Sequence, residues 1–269
     1  MIELSNFWIA VLLTSFAGLS TGIGSLLAFF TKRTNTKVLS ISLGFSAGVM
    51  IYISFVELLA HAQETLSLSL GNTGLWICIT SFFVGFGIIA LIDKLVPNYE
   101  NPHEMHKIEE LDDKEKAKKF KRLYRVGLLM ALAISIHNFP EGLVTFLSTM
   151  TSLKLGLAIT FAIAIHNIPE GIAVSIPIFY ATGSRKKAFF YSFLSGLAEP
   201  VGGILGYLIL RPFINDVVIG IIFALIAGIM VFISFDSLLP SAEKYGKHHL
   251  SILGLVIGMI IMAISLLLF

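Results

Sequence analysis

Eight stretches of this chain are apolar and long enough to cross a bilayer, at about 7–30, 38–62, 73–92, 126–150, 155–180, 188–210, 217–239 and 250–269. A hydrocarbon layer some 30 Å thick is spanned by about 20 apolar residues of helix, so runs of this length read as transmembrane helices. The expected fold is therefore an all-α membrane protein of eight transmembrane helices, a single domain over 1–269 with one polar connection at about 94–125. Composition agrees: with 56% hydrophobic and 13% charged residues, the chain has too little polar surface to cover itself in water.

An even number of spans puts both termini on one side. Of 19 Lys and Arg, 17 fall in the segments after the first, third, fifth and seventh spans. The positive-inside tendency makes that side cytoplasmic and both termini extracytoplasmic. Glu3 and no basic residue precede the first run, which lacks the basic n-region of a cleaved signal peptide and is read as a retained span. The connection at 94–125 mixes acids and bases as a solvated helix or linker does. Within it, His103 and His106 are read either as a metal hand-off or as plain solubility. The lone cysteine, Cys78, rules out a disulfide framework or thiolate site within the chain and is read as packing. A formal net charge of +2 says little about partners. The expected partners are divalent ions and the lipid bilayer, with no nucleic acid and with a homodimer left open.

The sequence also repeats itself. AGVMIYISFVELLAHAQE at 47–64 and AGIMVFISFDSLLPSAEK at 227–244 are identical at nine of eighteen positions. They lie in the second and seventh spans, which cross in opposite directions. That is the pattern of an inverted repeat, with spans 1–3 related to 6–8 and span 4 to span 5, and with a binding site near the midplane.

The fourth and fifth spans carry IHNFPEG at 136–142 and IHNIPEG at 165–171. Ionisable groups at this depth mark function. Residues four apart share a helix face, so His137 stands over Glu141 and His166 over Glu170. Pro140 and Pro169 each remove a backbone donor and free the carbonyl four residues back. Asn138 and Asn167 project about 100° from the histidines toward a second neighbour, where they either coordinate or hydrogen-bond between helices. Glu199, in LAEP of the sixth span, adds a third acid. Three carboxylates together repel one another, and divalent cations would neutralise them; no span core offers a Lys or Arg instead. These nitrogen and oxygen ligands suit a borderline-hard divalent metal. A proton relay of histidines and acids without metal is the other reading, and a metal-dependent intramembrane hydrolase is a third, although no HExxH is present. Met50, Glu57 and His61 share one face of the second span and, with Asp236 on the seventh and Glu243 beyond it, are candidates for a pathway or accessory role. Met50 is also a plain packing residue.

HNFPEG and HNIPEG on consecutive central spans, with eight spans, outward termini and a polar connection after the third, resemble the ZIP family of divalent metal transporters in its bacterial zinc/iron permease branch. The resemblance covers essentially the whole chain. It implies a protein of the bacterial plasma or inner membrane that is not an enzyme. It implies a binuclear centre of His137, Asn138, Glu141, His166, Asn167, Glu170 and Glu199, with Glu141 and Glu170 bridging two metal positions. It also implies import of zinc, ferrous iron, manganese, cobalt and often cadmium. This chain lacks the histidine-rich cytoplasmic run of many eukaryotic relatives.

Overall fold

The computed structural model describes residues 2–30, 36–95, 116–245 and 248–268, and contains no strand among them. His103 and His106 lie outside these residues. In chain order the helices are α1 (Ile2–Phe30), α2 (Thr36–Ile53), α3 (Leu59–Leu70), α4 (Asn72–Leu95), α5 (Lys116–Thr151), α6 (Leu153–Thr182), α7 (Arg185–Gly196), α8 (Ala198–Leu210), α9 (Asp216–Ile233), α10 (Leu239–Tyr245) and α11 (His248–Leu268). Seven segments of the described residues are long and apolar enough to cross a membrane: Asn6–Leu26, Ser40–Leu70, Asn72–Leu91, Leu153–Ile172, Arg185–Phe213, Asp216–Glu243 and His248–Leu268. The remaining expected span, 126–150, lies inside α5, which is unbroken over 36 residues.

Local chemistry sets the helix ends. The Asn215 side chain accepts a hydrogen bond from the Val218 amide at 2.9 Å and caps α9, satisfying one of the free donors of its first turn. At Gly183 the backbone turns left-handed with φ +62°, a conformation that costs glycine little, and α6 stops there.

Two features depart from a plain row of spans. α2 and α9 each pass into a single π turn, at Ser54–Leu58 and Ser234–Leu238, at the same point of the repeated sequence. Such turns widen a helix locally and frequently accompany function. The sixth span, expected as one helix over 188–210, is two helices, because α7 ends at Gly196 and α8 starts at Ala198. Pro200 has no N–H to offer the Gly196 carbonyl four residues back, which removes one helical bond across the break. Pro140 and Pro169 have the same defect, yet α5 and α6 run through them without interruption.

The helices sort into two bundles. α1, α5, α6, α7 and α8 pack on one another, and so do α2, α3, α4, α9, α10 and α11; α2 against α6 is the main bridge between the groups. Within each bundle glycines let backbones approach closely. A Cβ on Gly24 of α1 would strike the Ile168 carbonyl of α6, and one on Gly171 of α6 would strike the Thr21 carbonyl of α1. Without a hydrophobic drive between helices in lipid, such close backbone packing is what holds them.

Candidate metal centre

The first bundle gathers the polar residues that its sequence would otherwise scatter. His137, Asn138 and Glu141 come from α5, His166, Asn167 and Glu170 from α6, and Glu199 from the first turn of α8. All seven are buried. The α7/α8 break puts Glu199 at a helix N-terminus, where the partial positive charge of the free amides favours a carboxylate.

Glu141 is the pivot. Its Oε1 lies 3.1 Å from His137 Nε2 and 3.2 Å from His166 Nε2, while Glu170 Oε1 lies 3.6 Å from His137 Nε2. The expected i,i+4 pairing of His137 with Glu141 is present, and the closest carboxylate to His166 is Glu141 on the neighbouring helix. His166 Nδ1 is 3.2 Å from the Ala162 carbonyl. A carbonyl can only accept, so that nitrogen carries the hydrogen, and in a neutral ring Nε2 presents its lone pair to Glu141. Two lone pairs that face one another call for a positive atom between them, a proton or a metal ion.

The asparagines resolve in the same way. Asn138 Nδ2 donates to the Ser195 carbonyl at 3.2 Å. Asn167 Nδ2 donates to the Ala17 carbonyl at 3.0 Å and also to Glu199 Oε1. With both amide nitrogens fixed on acceptors, each Oδ1 is turned the other way. Asn138 Oδ1, Asn167 Oδ1, Glu141 Oε2, Glu170 Oε2 and Glu199 Oε2 are buried and have no protein hydrogen-bond donor. One such orphan costs about 1–3 kcal/mol, so each of the five calls for a partner that the protein itself does not supply.

The spacing suits a cation. Nitrogen and oxygen ligands sit about 2.0–2.2 Å from zinc, which places adjacent ligands of a tetrahedral or octahedral shell about 2.8–3.6 Å apart by simple geometry. The three histidine–carboxylate distances of 3.1, 3.2 and 3.6 Å fall in that range. Convergence is incomplete in this state: among the described residues, no group of three or more His, Cys, Asp and Glu is gathered closely enough to hold a metal ion.

The other candidates belong to the second bundle. Met50 is fully buried in the main apolar core. Glu57 is half-buried on the first π turn, His61 packs on the Phe223 ring with centroids 5.4 Å apart, and Asp236 is exposed on the second π turn. Glu243 is exposed and accepts from His248 Nδ1 at 2.6 Å. Cys78 is buried within the apolar core.

The motif reading did not single out the groups that hold the ligands. Ser195 and Ala17 act through backbone carbonyls, which leave no mark in a sequence. Ser46 of α2 also went unnoticed: its hydroxyl donates to the His166 carbonyl at 3.2 Å from the other bundle. A signal existed, because the repeat sets Ser46 against Ile226 and so marks a polar residue with an apolar counterpart.

Comparison with known proteins places these motifs in context. A family model described as ZIP zinc transporter matches residues 96–266. The chain is 57% identical to the zinc transporter ZupT of Clostridium perfringens over 99% of its own length and 98% of that protein. It is 58% identical to the zinc transporter ZupT of Nitratidesulfovibrio vulgaris over the full length of both. It is 58% identical to that of Streptococcus mutans over 98% of each chain.

Proposed function

The chain belongs to the ZIP zinc transporter family, and on that footing we propose that it carries zinc across a bacterial cell membrane through the buried cluster on α5, α6 and α8. The observation that carries this reading is the set of five buried side-chain oxygens with no protein donor, at Asn138, Asn167, Glu141, Glu170 and Glu199. Desolvated cations would supply to these oxygens what no side chain here supplies.

Zinc is the cargo. Glu141, within reach of both imidazoles, and Glu170, 3.6 Å from His137, are the residues to bridge two ion positions, one near His137 and His166 and one toward Asn138, Asn167 and Glu199. The same nitrogen and oxygen set admits ferrous iron, manganese, cobalt and cadmium. The complete topology is eight spans with both termini extracytoplasmic, arranged as an inverted repeat about the two motifs. Support for the repeat comes from the two π turns at matching positions. Import proceeds by alternating exposure of the first bundle's site as that bundle moves against the second. The relatives are zinc transporters, which favours this over the hydrolase reading. Against a proton relay stands the His137 ring: it lies 3.1 Å from Glu141 but is not aligned to share a hydrogen bond with it.

Purified protein in liposomes loaded with a zinc-sensitive dye tests the proposal. Zinc entry that depends on the protein is expected, and dye signal equal to that of empty liposomes refutes it. Because carboxylates and imidazoles bind metal in their deprotonated forms, zinc addition at mildly acidic pH is also expected to release protons. Calorimetry in buffers of different ionisation enthalpy reads that release directly, and heats independent of buffer would count against charged ligands.

A further inference from the structure

The two halves of the repeat are alike in sequence and unlike in packing. On one side α2 lies along α6, and Ser46, fully buried, donates its hydroxyl to the His166 carbonyl at 3.2 Å. On the other side the corresponding pair, α9 and α5, makes less contact. A cleft of about 710 Å³ opens beside it, bounded by Ile88 and Ile89 of α4, Ile136, Phe139 and Pro140 of α5, and Ile229 of α9. Continued one residue toward the N-terminus, the repeat aligns Ser46 with Ile226, and the two motifs align His166 with His137. Ile226 has no donor. A state with the packing exchanged, α9 drawn onto α5 and α2 lifted from α6, would bring an isoleucine to the His137 carbonyl and break the serine bond.

We propose that Ser46 is a latch between the bundles: its hydrogen bond to the His166 carbonyl biases the transporter toward the state seen here, and the apolar residue at Ile226 denies the exchanged state an equivalent bond. Ser46 acts on the site only through the backbone of α6, so it is a positioning residue. It bonds, from the second bundle, the helix that carries His166, Asn167 and Glu170. The bond exists only where α2 lies on α6, so it discriminates between states by what it is worth over the hydroxyl's alternatives, a carbonyl of its own helix or water. The latch rests on the inverted-repeat, alternating-exposure reading of the preceding subsection.

Electron–electron resonance distances between nitroxides at Ile88→Cys and Ile136→Cys, in a Cys78→Ala background in lipid nanodiscs, test it. Zinc uptake is measured on the same preparations. Two populations are expected, a longer distance for the open cleft and a shorter one for the exchanged state. Ser46→Ala is expected to move their ratio about two- to tenfold toward the shorter distance, the range for one hydrogen bond. Ile226→Ser moves it the same way, and Ser46→Thr, which keeps the hydroxyl, leaves it near wild type. An unchanged ratio in Ser46→Ala overturns the latch, as does a shift in Ser46→Thr as large as that in Ser46→Ala. A single distance in protein that still carries zinc, with and without the ion, overturns the alternating reading and the latch with it.

Discussion

Glu141→Ala is expected to reduce zinc entry into dye-loaded liposomes to about a hundredth of wild type or less. It is the carboxylate that both imidazoles share: its Oε1 lies 3.1 and 3.2 Å from two imidazoles carried on different helices, and its Oε2 is one of the orphaned oxygens. Removing it takes a negative ligand from the cation, deprives His166 of its nearest carboxylate and leaves His137 with Glu170 at 3.6 Å. Breaking a buried charge pair by deleting one partner costs about 3–5 kcal/mol, and each 1.4 kcal/mol is tenfold in affinity. Glu141→Gln, which keeps the shape and loses the charge, is expected to fall between the two. Glu243→Ala is the control: its carboxylate is exposed and paired with His248, and exposed pairs contribute about 0–1 kcal/mol, so uptake should stay within a few-fold of wild type.

The second large effect is on the fold. Gly24→Leu and Gly171→Leu should each lower the melting temperature in detergent by several degrees, and the double variant should fail to yield folded protein. At both positions the new Cβ meets backbone, the Ile168 carbonyl in one case and the Thr21 carbonyl in the other, and backbone cannot rotate aside as a side-chain tip can. The only relief is for α1 and α6 to part. Overpacking of this kind costs about 1–3 kcal/mol and occasionally more, and each kcal/mol moves the melting point of a chain this size by about 2–4 °C. Gly87→Leu provides the contrast, since a Cβ there meets nothing within 4 Å; its melting point should not move by more than a degree or two.

Sequence and structure agree best where burial dictates pattern. The long apolar runs become helices because lipid leaves the backbone no other partner; the ends of α11, at His248–Leu268, differ by a residue or two from the expected 250–269, whereas α5 starts at Lys116, ten residues before its expected span. The paired motifs were legible for a related reason. An imidazole and a carboxylate one turn apart in an apolar span have few uses, and the structure does bring His137 beside Glu141. What the sequence could not convey is which helix each group meets next. His166 finds its nearest acid on α5, and Asn167 bridges Glu199 to the Ala17 carbonyl. Both depend on how α1, α5, α6 and α8 pack, and packing is set by glycine contacts spread across the chain. The break before Ala198 was readable from Pro200, but the same residue type at 140 and 169 left its helix intact, so proline alone did not decide it. The second π turn illustrates the converse. The repeated ISF sequence pointed to it only once the first was known.

X-ray absorption at the zinc edge of the loaded protein tests the central claim most directly. The account predicts a first shell of nitrogen and oxygen at about 2.0–2.1 Å with the outer-shell scattering of imidazole and no sulfur, and loss of the imidazole signal in the His137→Ala/His166→Ala double variant. A sulfur shell near 2.3 Å, or a spectrum unchanged when both histidines are removed, would contradict it.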